Sequence, residues 1–91
     1  MDLGLSGTRA IVFGSSSGLG RAIAAGLVAE GAAVAVVSRD QGRADEAMRA
    51  TGATSAIAAD LAIDGGGAAT VRAAAEALGG LDICVVNTGG G

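Results

Sequence analysis

The 91-residue chain carries a net charge of −3, is 51% apolar and holds one aromatic residue, so it makes at most one domain and is not disordered. Every cation is an arginine, no basic stripe exists and only Phe13 could stack on a base, which excludes nucleic-acid recognition. The chain has no histidine, lysine or tyrosine, which removes Ser-His-Asp triads, histidine metal sites and lysine-dependent phosphate loops.

The first residues, Met1-Asp2-Leu3-Gly4-Leu5, lack the basic start and apolar core of a signal peptide. The first predicted strand is Ala10–Phe13. It runs directly into Gly14-Ser15-Ser16-Ser17-Gly18-Leu19-Gly20, and a helical stretch, Arg21 to Val28, follows. Leu19, Ile23 and Leu27 recur four apart on that helix, with Gly31 as its C-cap. A second strand, Ala33–Val37, leads to Asp40, which can N-cap a helix carrying Ala44, Ala47 and Met48 and ending at Gly52. The third strand is Ser55–Ala59. Asp64 can cap a third helix bearing Val71, Ala74, Ala75 and Leu78, closed by Gly79-Gly80; Gly65-Gly66-Gly67 blurs its start. The fourth strand is Ile83–Val86, and the sole cysteine, Cys84, lies within it. A lone cysteine closes no internal disulfide, which fits a cytoplasmic location. No apolar run approaches membrane-spanning length.

Each strand is continuously apolar, the pattern of a strand buried on both faces. Strands alternating with helices give β-α-β-α-β-α-β and an α/β fold with a parallel, doubly wound sheet. Right-handed crossovers place helices on both faces, in strand order 3-2-1-4, with a crevice between the first and fourth strands. Residues 1–91 read as one unit with no linker or repeat. The chain stops at Gly89-Gly90-Gly91, just past an apolar strand with an uncovered edge. It is therefore expected to be the N-terminal portion of a larger domain, and that edge is a candidate surface for self-association.

The Gly14–Gly20 turn carries the chemistry. A Gly-x-x-x-Gly-x-Gly spacing is weak in a glycine-rich chain, so context decides. Here a strand precedes and a helix follows, the arrangement that presents backbone N–H groups to a phosphate. Gly14 turns the chain off the strand, Gly18 admits a pyrophosphate, and Gly20 lets the helix pack closely. Ser15, Ser16 and Ser17 offer hydroxyls to phosphate or ribose oxygens. Asp60 and Asp64 could be imagined as an acid/base pair, but a strand-end residue and a helix cap describe them better.

Three motifs together resemble the short-chain dehydrogenase/reductase family over essentially the whole chain. They are Gly14-Ser15-Ser16-Ser17-Gly18-Leu19-Gly20, Asp60-Leu61, and Leu81-Asp82-Ile83-Cys84-Val85-Val86-Asn87-Thr88-Gly89-Gly90. Asn87-Thr88-Gly89-Gly90 is similar to reductases of the 3-oxoacyl-acyl-carrier-protein type. The resemblance implies a Rossmann-type cofactor-binding half and hydride transfer between a nicotinamide and a carbonyl or alcohol. It implies that Gly14 to Gly20 wrap the pyrophosphate and that Asp60 accepts from the adenine amino group, with Leu61 nearby. It also implies that Asn87, Thr88 and Gly89 belong to the crevice beside the riboses. Plainer readings make Asp60 a solvated strand-end carboxylate and Asn87 a turn residue.

Ser38 and Arg39, at the end of the second strand, bear on cofactor choice. NAD-binding sheets often place a carboxylate there for the ribose 2′-hydroxyl. Serine does not repel a 2′-phosphate and Arg39 can bond to one, so NADP(H) is favoured over NAD(H). Asp40 competes, because it could pair with Arg39 or touch a ribose, and Arg39 could be a solvated loop cation. The chain departs from the family at Phe13, where threonine is usual, and at Thr88, where alanine is usual. The family's catalytic serine and Tyr-x-x-x-Lys pair lie beyond this point in longer members, and with no tyrosine or lysine in the chain those two roles have no counterpart here. The chain alone is expected to be inactive, and the rival reading is a non-catalytic dinucleotide-binding or interaction module.

Overall fold

A computed structural model describes residues 7–14, 18–59 and 66–86. Four strands and three helices alternate along them: β1 (Arg9–Phe13), α1 (Gly18–Ala29), β2 (Ala33–Ser38), α2 (Gln41–Thr51), β3 (Ser55–Ala58), α3 (Gly66–Leu78) and β4 (Ile83–Val86). All strand pairs are parallel and the sheet order is β3-β2-β1-β4, as the sequence pattern predicts. Among the described residues no helix is long and apolar enough to cross a membrane.

Alternation along β1 and β2 divides the core between the two faces. Val12, Val34 and Val36 face α1 and α2, packing with Ala24, Ala32 and Ala47. Ile11, Phe13, Ala35 and Val37 face α3 and pack against Ala74, flanked by Val71 and Leu78. Alanines at the contact faces bring helices close to the sheet, which lets a nearly aromatic-free chain bury its central strands.

The helix ends follow from glycine. Gly31, at φ 90, ends α1: its N–H donates to the Val28 carbonyl while Ala32 N–H reaches back to Leu27. That is the double bond pattern of a left-handed helix stop. Gly52, at φ 78, ends α2 with its N–H on the Met48 carbonyl, and Asp40 caps the other end by accepting from Gly42 N–H at 3.3 Å. Gly79, at φ 81, and the Gly80 N–H on Ala75 close α3. Asp64 lies outside the described residues.

Two expectations need correcting. β1 is buried at every apolar position and β2 from Val34 onward, whereas β3 and β4 are half-exposed. The expected order 3-2-1-4 makes these two the edges, and a continuous apolar run does not bury an edge strand on both faces. Cys84 is accordingly exposed. Leu19, placed by periodicity on the apolar stripe of α1, is 65% exposed, and Gly20 and Ala24 are the residues that α1 buries.

Candidate functional site

Parallel strands deliver all their carboxyl ends to one edge. Phe13 pairs with Val37 on one side and Val86 on the other, and Ser38 pairs with Ala58. The exits of the four strands therefore stand in a row, and α1 begins on that edge at Gly18. In open α/β sheets ligands bind outside the carboxyl ends, where the chain order reverses. Here the reversal lies at β1, whose neighbours β2 and β4 are entered by crossovers in opposite directions.

Gly14 leaves β1 at φ 73, a left-handed conformation that glycine adopts freely. Its N–H donates to the Val37 carbonyl at 3.1 Å, fixing the turn against β2. Gly20 is buried beneath the start of α1. Gly18 differs from both. A Cβ built on it meets nothing within 4 Å, so neither backbone conformation nor packing demands glycine there. The space beside it is open, at the start of α1 on the carboxyl edge of the sheet.

Ser38 is buried at 7% exposure, and its carbonyl accepts from Ala59 N–H at 2.8 Å, tying the β2 tip to the β3 exit. Arg39 follows it and is exposed. The Asp40 carboxylate is engaged at the α2 cap, and the ion pairs among the described residues, Arg9–Asp82 and Arg21–Glu46, leave Arg39 out. Arg39 thus follows the β2 tip with no anionic partner for its guanidinium among the described residues. The structure brings together Gly14, Gly18, Leu19, Gly20, Ser38 and Arg39 at one edge. Ser15, Ser16, Ser17, Asp60, Leu61, Asn87, Thr88 and Gly89 lie outside the described residues.

Side chains not singled out by sequence brace this edge. Gln41 donates to Asp45 at 2.8 Å and to the Ala56 carbonyl at 3.4 Å, joining the first turn of α2 to β3. Arg21, next to Gly20, reaches Glu46 at 3.5 Å and links α1 to α2. Phe13 does not obstruct the turn: its side chain is buried in the cluster facing α3.

The family model for short chain dehydrogenases matches residues 8–91, and the chain belongs to this family. It is 44% identical over 62 residues to L-xylulose reductase of Bos taurus, covering 68% of this chain and 25% of that protein. It is 42% identical over 88 residues to the rhamnolipids biosynthesis 3-oxoacyl-[acyl-carrier-protein] reductase of Pseudomonas aeruginosa, covering 93% of this chain and 34% of that protein. Among solved structures, L-sorbose reductase of Gluconobacter frateurii, complexed with NADPH and L-sorbose, superposes with a TM-score of 0.86 at 41% identity, over 98% of this chain and 36% of that one. The chain thus spans a quarter to about a third of the length of these curated relatives. The fold is Rossmann-like, and the family is one of oxidoreductases that bind NAD(P).

Proposed function

We propose that this chain binds NADP(H) along the carboxyl edge of its sheet, as the cofactor-binding portion of a short-chain reductase acting on carbonyl or alcohol substrates. The observation that carries this reading is the alignment of Gly14, Gly18 and Gly20 with buried Ser38 and exposed Arg39 across the Phe13–Val37 pair. The glycines leave amides open to a pyrophosphate. Arg39 supplies the charge that a 2′-phosphate needs, with no carboxylate at position 38 to repel it. Ser15, Ser16 and Ser17 extend the phosphate turn, Asp60 and Leu61 serve the adenine, and Asn87, Thr88 and Gly89 complete the crevice. A related reductase was solved with NADPH, which supports the choice of cofactor.

The bound dinucleotide would supply hydride, and this chain's residues bind and orient it. Proton transfer to a carbonyl requires an acid such as the family's tyrosine, assisted by lysine, and this sequence contains neither residue type. The 91-residue chain therefore binds cofactor without turnover, and complementary sequence supplies the catalytic groups. A cytoplasmic setting suits the exposed free thiol of Cys84.

NADPH fluorescence titration beside a turnover assay on generic carbonyl substrates tests both statements. Saturable binding without turnover is the expected result; absence of binding overturns the cofactor assignment, and turnover by the purified chain overturns the division of labour. A second reading, a non-catalytic module that joins a partner through its edge strand, is favoured by the exposed β4. Val86 there is 62% exposed. Concentration-dependent size-exclusion of the chain reports that association.

A further inference from the structure

β4 is secured from one side only. It pairs with β1, while α3 lies alongside β1, β2 and β3 but not β4. Its sequence, Ile-Cys-Val-Val, is apolar at every position, so hydrophobic patterning does not choose between registers. A slip by one residue would exchange Ile83 and Val85 for Cys84 and Val86 on the buried face and shift the strand exit by about 3.3 Å. Phe13, beside that exit, has an apolar side chain buried toward α3 and cannot pin β4 with a polar contact.

The pin lies at the opposite end of the strand pair. Asp82, immediately before β4, accepts from Arg9 N–H at 3.0 Å and from Arg9 Nε at 3.3 Å through the same carboxylate oxygen. Asp82 N–H returns a bond to the Arg9 carbonyl at 2.8 Å. Arg9 Nη1 also donates to the Gly79 carbonyl at 2.9 Å, at the end of α3. A Cβ on Gly80 would stand 2.7 Å from Nη1, so this glycine leaves the space that the guanidinium fills. One arginine thus holds the end of α3, the connecting turn and the first rung of the β1–β4 ladder.

We propose that Arg9 and Asp82 are positioning residues for the cofactor cleft: by fixing the register of β4 on β1, they set where the chain leaves Val86 relative to the Phe13–Gly14 turn. This rests on the dinucleotide reading above. A displacement of this size matters, because it moves the β4 exit by about one residue relative to the Phe13–Gly14 turn.

The test compares two ligands on the 91-residue chain. On the dinucleotide reading, NADPH would extend from the β2 tip across β1 toward β4. The fragment 2′,5′-ADP carries only the end assigned to Ser38 and Arg39, on the far side of β1 from β4. Asp82→Ala is expected to weaken NADPH about fivefold while changing 2′,5′-ADP less than about twofold. Asp82→Asn, which keeps an acceptor for Arg9 N–H, falls between wild type and Asp82→Ala. Amide hydrogen exchange should quicken at Ile83–Val86 in Asp82→Ala and stay slow along β2. Equal weakening of both ligands, or unchanged affinities with β4 still protected, overturns the proposal. If wild type binds neither ligand, the dinucleotide reading fails by itself, and exchange at β4 still decides whether the pair sets the register.

Discussion

Replacing Arg39 with alanine probes cofactor choice without disturbing the fold. Arg39 is exposed and makes no ion pair among the described residues, and the neighbouring Asp40 keeps its role as the α2 cap. A charge-assisted hydrogen bond to a phosphate contributes about 1.5–3 kcal/mol when well shielded. Solvent around an exposed guanidinium lowers that to about 1 kcal/mol, or about fivefold. Arg39→Ala should therefore raise the dissociation constant for NADPH about fivefold and leave that for NADH unchanged. Adding Ser38→Asp sets a carboxylate at the buried β2 tip against the 2′-phosphate, and the preference should then invert toward NADH. Parallel fluorescence titrations give the ratio of the two constants, which is insensitive to small stability losses. The wild-type preference should also shrink as ionic strength rises from about 0.05 to about 0.5 M. An unchanged ratio in Arg39→Ala removes the arginine from its assigned role and with it the argument for NADP(H).

The remaining expectations concern the scaffold. Ile11 is fully buried between neighbouring strands and α3, so Ile11→Ala should cost about 2–5 kcal/mol in urea unfolding, a large share of the total stability of a small domain. Gly26, mid-helix with nothing near its would-be Cβ, should tolerate alanine with a gain of about 0.8–1 kcal/mol. Gly52, at φ 78 with its would-be Cβ 3.4 Å from Val28 Cγ1, should instead lose about 1–2 kcal/mol on the same change, and paired thermal melts separate the two. The Asp82 carboxyl is held below the usual carboxylate range, first by the bond from Arg9 N–H and then by the Arg9 side chain. Its contribution is thus present above the ordinary carboxylate value and lost as pH falls below about 4, so Asp82→Asn should flatten part of the acid limb of stability against pH.

Much of the architecture was legible because local signals agreed with one another. Ala10–Phe13 and Ala33–Val37 read as buried strands from unbroken apolar runs, and they are buried from Ala10 and from Val34 onward. Gly31, Gly52 and Gly79 marked helix ends where only a left-handed residue continues the chain, and each has positive φ. What failed depended on neighbours. Ser55–Ala59 and Ile83–Val86 look like β1 in sequence, yet their exposure is set by standing at the sheet's edges. Leu19 followed the spacing of Ile23 and Leu27, but α1 approaches the sheet so closely at its start that Gly20 takes the inner place. Thr51 gave no sequence signal; it is buried because its hydroxyl bonds back to the Ala47 carbonyl at 2.7 Å. The Arg9–Asp82 pair joins residues 73 apart, which only the strand register brings together. At the candidate site, the order of strand exits was readable from topology, whereas the separation of Asp40 from Arg39 required the cap geometry.

Amide-resolved NMR titration of the labelled chain with NADPH locates the ligand most directly. The account predicts saturable shifts concentrated at Gly14, Gly18 to Gly20, Ser38 and Arg39, with the opposite edge around Arg9 and Gly79–Asp82 left quiet. Shifts centred on that opposite edge, or none at saturating NADPH, would contradict it.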